Sequence, residues 1–174
     1  NHKIVDISAI NQLIGGSSLT SDIAIPEGDY DHTNMSSTVV PNRNMILLSL
    51  AIGYAVSIIA EQVMYGAHGG DHVIYPDCRP EFIAAFETMA NLATKAGVEG
   101  AQSGVKGFTV HTPLQHMTKA EIAREAHRLG LDAGMSWSCY DPTPDNKACG
   151  QCDACRLRAK GFADAGLPDP TIYA

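Results

Sequence analysis

Apolar residues fall into short blocks along the chain, separated by polar stretches rich in glycine and proline. Residues 3–8 alternate, with Ile4 and Ile7 flanking Val5, and predict a strand. Residues 11–37 carry Gly15-Gly16, Pro26, Gly28 and many Ser, Thr, Asp and Asn, and predict a long loop with one short helix at most. Loops of that length are uncommon unless functional. The run MILLSLAIGYAVSIIA, 45–60, predicts a buried helix, with Asn42 or Asn44 as its cap. It is shorter than the ~20 residues that span a bilayer. Ser49, Gly53 and Ser57 interrupt it at a spacing that suits close helix packing in a core.

QVMYGA, 62–67, predicts a buried strand that runs into the glycine-rich turn HGGD. Pro80 and Glu81 open a helix to about residue 96, with Phe82, Ile83, Phe86, Met89, Ala90 and Ala93 on one face and Gly97 as its stop. GFTVHTPL, 107–114, predicts a second strand. Thr118 and Glu121 have the spacing of a capping box for a helix to Leu129, closed by Gly130. Strands that alternate with longer helices predict an α/β fold with a mostly parallel sheet. Ligands then bind beyond the carboxyl ends of the strands. HGGDHVIYPDCR and HTPLQHMTKAE occupy those positions.

Composition narrows this picture without changing it. The chain has 174 residues, 45% hydrophobic and 18% charged, which predicts a single domain over 1–174. The net charge of −7 and the lack of a basic cluster argue against direct nucleic-acid binding. No secretory signal is visible, and neither a membrane span nor an exported protein is expected. The chain opens on NHKIVDIS, already strand-like and without an initiator Met, which predicts that a segment precedes it.

The candidate chemistry lies in three places. Cys139, Cys149, Cys152 and Cys155 fall within 137–158, with two-residue gaps between the last three. Four thiolates at that spacing can converge on one tetrahedral ion, and a closed four-thiolate site is structural rather than catalytic. Disulfides are disfavoured without an export signal, and redox chemistry would need only two of the four. An iron–sulfur cluster uses the same ligands and stays open beside zinc.

The second place is DHVIYPDCRPEF. Arg79 can grip a carboxylate or phosphate, Asp77 can accept from the amidine-like edge of a base, and Tyr75 can stack on a ring, with Asp71 nearby. The bland reading is a capped helix start with a surface arginine. Cys78 reads as a packed small residue rather than a nucleophile. The third place is VPNRNM, where Arg43 and Asn44 stand at the start of the buried helix and suit a polyphosphate. His68, His72 and His111 fall near strand ends, where lining a cleft and purely structural bonding are equally open.

Together, VPNRNMILLSLA, IYPDCRPEF, HTPLQHMTKAEI and SCY…ACGQCDACRLRAKGFADAG…DPT resemble the 7-cyano-7-deazaguanine synthases, in order and over nearly the whole chain. Ile74 departs from the glycine of the more familiar GYPDCR form. The resemblance implies a Rossmann-like, adenine-nucleotide α-hydrolase type of parallel sheet with flanking helices and a C-terminal four-cysteine zinc knot. It implies a cytoplasmic, ATP-dependent ligase that converts 7-carboxy-7-deazaguanine and ammonia to the nitrile precursor of queuosine. ATP and Mg²⁺ serve as co-substrate and ion, through an acyl adenylate; a homodimer is left open. The four cysteines match the zinc ligands, and Tyr75, Asp77 and Arg79 match the substrate block. The family's Ser-Gly-Gly-x-Asp-Ser phosphate loop does not occur here, and IGGSS, 14–18, is not that loop. The resemblance therefore predicts a truncated N-terminus and a chain inactive alone. Two other readings compete: another pyrophosphatase-loop ATPase acting on a different acid or a tRNA, and a non-enzymatic zinc-binding interaction module.

Overall fold

The computed structural model describes residues 2–28, 32–104 and 107–174. Its α-helices are α1 (His32–Met35), α2 (Arg43–Ser57), α3 (Pro80–Ala93), α4 (Lys95–Ser103), α5 (Lys119–Arg128) and α6 (Asp153–Ala165). Its strands are β1 (Gln62–Met64) and β2 (Thr109–His111), paired in parallel with Val63 opposite Val110. Parallel pairing requires a crossover, and α3 and α4 supply it. The described residues divide into two compact units, one of residues 42–118 and one of residues 119–174 with the chain up to 41.

In the 42–118 unit, Leu48, Ile52 and Ala55 line one face of α2, and Ile83, Phe86 and Ala90 line one face of α3. Both sets recur at helical spacing and bury with Phe108 and Val110 of the second strand region. Phe82 and Phe86 add a tilted ring contact, centroids 5.8 Å apart.

The second strand has two hydrogen-bonding edges. One faces β1, where Thr109 N–H donates to the Glu61 carbonyl. The other is covered by side chains of α3. Val110 N–H donates to Glu87 Oε2 at 2.7 Å, and Asn91 accepts from Phe108 N–H at 2.7 Å while donating to its carbonyl at 2.8 Å. Backbone groups that another strand would satisfy are thus satisfied locally. Two glycines permit the approach. A Cβ on Gly107 would lie 2.1 Å from Asn91 Oδ1, and one on Gly97 would lie 2.3 Å from the Asn91 carbonyl oxygen.

The second unit packs α5 against α6. Gly161 makes this possible, because its Cβ would fall 2.8 Å from Lys119 Cβ. Met35, Ser17 and Thr38 are fully buried here, and Ser18 N–H donates to the Ser37 carbonyl. The predicted long loop is thus tied back on itself, Ser18 to Ser37.

Several expectations are corrected. Residues 3–8 form no strand; the chain is irregular before a 3-10 turn at Ser8–Gln12, and Ile4 is 87% exposed. Alternation alone cannot make a strand where no described strand pairs with it. The helix predicted to residue 96 ends at Ala93. Thr94 turns extended and caps α4, its hydroxyl accepting from Gly97 N–H, so Gly97 lies inside a new helix rather than at a stop. Ser36–Ser57 is long and apolar enough to cross a membrane by length and composition. It is not continuous: Val39 is extended and Asn42 is left-handed at φ 58°, which leaves the 15 residues of α2. At 1.5 Å per residue that helix is about 22 Å long, short of a ~30 Å hydrocarbon core.

Candidate functional site

The metal candidate is built on a turn and a helix start. Gly150, at φ +71°, lets the chain reverse between Cys149 and Cys152. Cys152 caps α6, and Cys155 follows in its first turns. Cys139 returns to this knuckle, where Cys149 N–H donates to its Sγ at 3.2 Å. Cys149 Sγ in turn accepts from the amides of Gln151 at 3.4 Å and Cys152 at 3.3 Å. All four Sγ atoms lie within 4.8 Å of one another. A tetrahedral ion with bonds of ~2.3 Å would space its sulfurs by roughly 3.8 Å, close to the 4.0 Å between Cys149 and Cys155. A four-iron cube would hold its thiolates further apart. The donor set fits one tetrahedral ion.

Electrostatics point the same way. Burial pushes the thiols of Cys139 and Cys155 up. Burial also acts on Cys149, but the amides of Cys152 and Gln151 outweigh it and hold its thiol below the ordinary value. A cation is the natural counter-charge for such a buried set.

The C-terminal tail closes over this centre. Ala148 N–H donates to the Ile172 carbonyl, Ala174 N–H donates to the Ala148 carbonyl, and Tyr173 packs on the cysteines. Tyr173 Oη donates to Asp169 at 2.6 Å, and Asp169 pairs with Arg158 at 3.0 Å. Burial would raise Asp169, but the Tyr173, Thr171 and Arg158 bonds outweigh it and keep its carboxyl low.

The ligand candidates lie in the other unit. Tyr65 follows β1 directly, and its N–H extends the sheet to the His111 carbonyl. The segment after it bonds to the segment after β2, where Gly69 N–H donates to the Met117 carbonyl at 3.1 Å. The two stretches expected beyond the strand ends therefore do meet there. Within the first, Pro76–Cys78 forms a 3-10 turn.

Arg43, Asn44, Tyr75 and Asp77 come together at the start of α2. Neither expected asparagine caps that helix with its side chain. The cap comes from a distant carboxylate: Asp77 Oδ2 accepts from Asn44 N–H at 3.1 Å. Asn44 is buried, its amide reaching Cys78 Sγ at 3.5 Å and its Oδ1 accepting from Arg43 Nε at 3.3 Å. The Arg43 guanidinium lies 5.8 Å from the Tyr75 ring centroid, and Tyr75 is 6% exposed. Arg79 is exposed at the start of α3, its Nε donating to the His72 carbonyl at 2.8 Å. Asp71 meets that group through its backbone, its carbonyl accepting from Tyr75 N–H at 2.9 Å, while its carboxylate meets His68 Nε2 at 3.1 Å.

Of the histidines, His68 is buried and spent on its own turn, with Nδ1 accepting from Gly70 N–H, while His111 is exposed. His72 Nε2 is buried with no hydrogen-bond partner among the described residues. Burial pushes the Cys78 thiol up to about 11, which keeps it neutral and fits a packed residue. Three residues at this site carried no sequence signal beyond their place at strand ends: Tyr65, Thr112 and Gln115. Tyr65 Oη reaches the Asp77 carbonyl at 3.1 Å, and Gln115 Nε2 reaches the Cys78 carbonyl at 3.2 Å.

Known proteins share this sequence at length. A 7-cyano-7-deazaguanine synthase of Rhizorhabdus wittichii is 64% identical over 160 residues, which cover 92% of this chain and 67% of that protein. Those of Xanthomonas axonopodis pv. citri and Xanthomonas oryzae pv. oryzae are 56% and 55% identical over 173 residues, 99% of this chain and 73% of each relative. The family model described as queuosine biosynthesis protein QueC matches residues 1–166. With a match across almost its entire length, the chain belongs to the QueC family of queuosine biosynthesis proteins.

Proposed function

We propose that this protein is a 7-cyano-7-deazaguanine synthase, a carbon–nitrogen ligase. The substrates are 7-carboxy-7-deazaguanine, ammonia and ATP. ATP converts the carboxylate to an acyl adenylate with release of pyrophosphate. Ammonia attacks the acyl carbon and AMP leaves, giving the amide. A second ATP adenylates the amide oxygen with release of a second pyrophosphate, and loss of AMP with the two amide protons leaves the nitrile.

The observation that carries this reading is the placement of Tyr75–Arg79 beyond the carboxyl ends of two parallel strands, with Arg43 beside it at a helix N-terminus. That placement suits a Rossmann-like sheet. Arg79 takes the substrate carboxylate, and the Asp77 oxygen not used by Asn44 accepts from the pyrimidine edge. Tyr75 stacks on the base once Arg43 swings from its ring towards a phosphate. Asn44 serves the nucleotide through Arg43, whose Nε it holds, and Asp71 frames the segment through His68. Mg²⁺ travels with ATP and neutralises phosphate charge.

Zinc is the ion assigned to Cys139, Cys149, Cys152 and Cys155, in a structural role. Four free thiols gathered for a metal fit the reducing cytoplasm. Mass spectrometry of the acid incubated with ATP, Mg²⁺, ammonia and the full-length protein tests the reading. Amide followed by nitrile is expected, and the absence of both rejects it.

A further inference from the structure

We propose that Tyr65, Thr112 and Gln115 are positioning residues that fix the Tyr75–Arg79 segment to the ends of the sheet. The proposal rests on the reading above, in which that segment binds the acid.

The segment's internal bonds close its turn but do not anchor it. Cys78 N–H donates to the Tyr75 carbonyl and Arg79 N–H to the Pro76 carbonyl, and both bonds would survive a tilt of the whole turn. Side chains of Asp77 and Cys78 bond to Asn44 of α2, and the segment's backbone is anchored to the strand ends through two consecutive carbonyls. Tyr65, one residue past β1, donates to the carbonyl of Asp77 and lies 3.3 Å from Cys78 Sγ. Gln115, from the segment past β2, donates to the carbonyl of Cys78. Gln115 is 6% exposed, so an unmade bond there would not be replaced by water.

A glutamine amide can point either way, and only one way gives a donor to Cys78. Thr112 decides which. Its hydroxyl lies 2.6 Å from Gln115 Oε1 and donates to it, which turns the NH₂ towards the Cys78 carbonyl. The chain of bonds thus runs from the end of β2 through Thr112 and Gln115 to the residue between Asp77 and Arg79. The strand ends then dictate where the Asp77 carboxylate and the Arg79 guanidinium stand. A drift of an ångström in such a segment is enough to misplace a bound acid.

Thr112→Val keeps the shape and removes the hydroxyl, and Thr112→Ser restores it. Calorimetry on the full-length protein should find acid affinity about tenfold weaker in Thr112→Val, ATP affinity within about twofold of wild type, and Thr112→Ser at wild-type strength. Tyr65→Phe removes one hydroxyl from the other anchor and should show the same split. A merely structural role would lower the melting temperature and weaken both ligands together. Equal loss of acid and ATP binding, or unchanged acid binding in both Thr112→Val and Tyr65→Phe, overturns the proposal. Wild-type protein that binds no acid overturns the reading of the segment itself, and this proposal with it.

Discussion

Asp77 gives one carboxylate oxygen to the Asn44 amide, at the start of a helix whose own Asn42 makes no side-chain cap. Its charge also sits favourably at the positive end of the helix dipole. Asp77 therefore cannot be truncated without loosening α2, which makes it a poor probe of ligand binding. Arg79 is the better one. It is exposed, and the bond it donates to the His72 carbonyl is one the surrounding water can replace. Arg79→Ala should weaken binding of 7-carboxy-7-deazaguanine by about thirtyfold, the loss of a charge-assisted bond, and leave ATP binding nearly unchanged. Titration calorimetry with each ligand measures both. Equal losses would remove Arg79 from the acid site. At this scale the sequence was legible where chemistry is intrinsic to a residue type, as for the four cysteines that the fold gathers. It was not legible for Tyr65, Thr112 and Gln115, whose roles arise from where two strand ends place them.

The second strand shows how an element of three residues is held. β1 satisfies one of its edges, and Glu87 and Asn91 of α3 satisfy the other. Gly107 is the permissive residue. Gly107→Ala would push a methyl group into Asn91 Oδ1, and the Asn91 side chain cannot retreat without releasing its bonds to Phe108 and Glu87. A loss of about 2–3 kcal/mol is expected from chemical denaturation, and an unchanged midpoint would contradict the edge assignment. Helix positions were readable because Leu48, Ile52 and Ala55, and Ile83, Phe86 and Ala90, repeat at the period of a helix. The break at Thr94 was not readable by period, because apolar spacing continues through it; only the cap chemistry of Thr94 marks it. The failure at residues 3–8 is of another kind: strand pattern is local, but strand formation needs a partner.

For the whole molecule, the thiol cluster is what gathers the C-terminal part of the chain. It ties α6, the Cys139 loop and the C-terminal tail together through Tyr173, Asp169 and Arg158. Such centres contribute folding free energy outright, and buried thiols without a cation are raised in pKa. Elemental analysis should find one zinc per chain. Chelation should abolish amide-exchange protection at Ala148 and Ala174 while β1 and β2 keep theirs; uniform retention would show that the ion is dispensable. The family match and the 7-cyano-7-deazaguanine synthases among its relatives point to nitrile formation. The most direct measurement is the product ratio from 7-carboxy-7-deazaguanine, ATP, Mg²⁺ and ¹⁵N-ammonia with the full-length protein. The account predicts ¹⁵N in the nitrile and two AMP released for each nitrile formed. AMP release without a labelled amide or nitrile would contradict it.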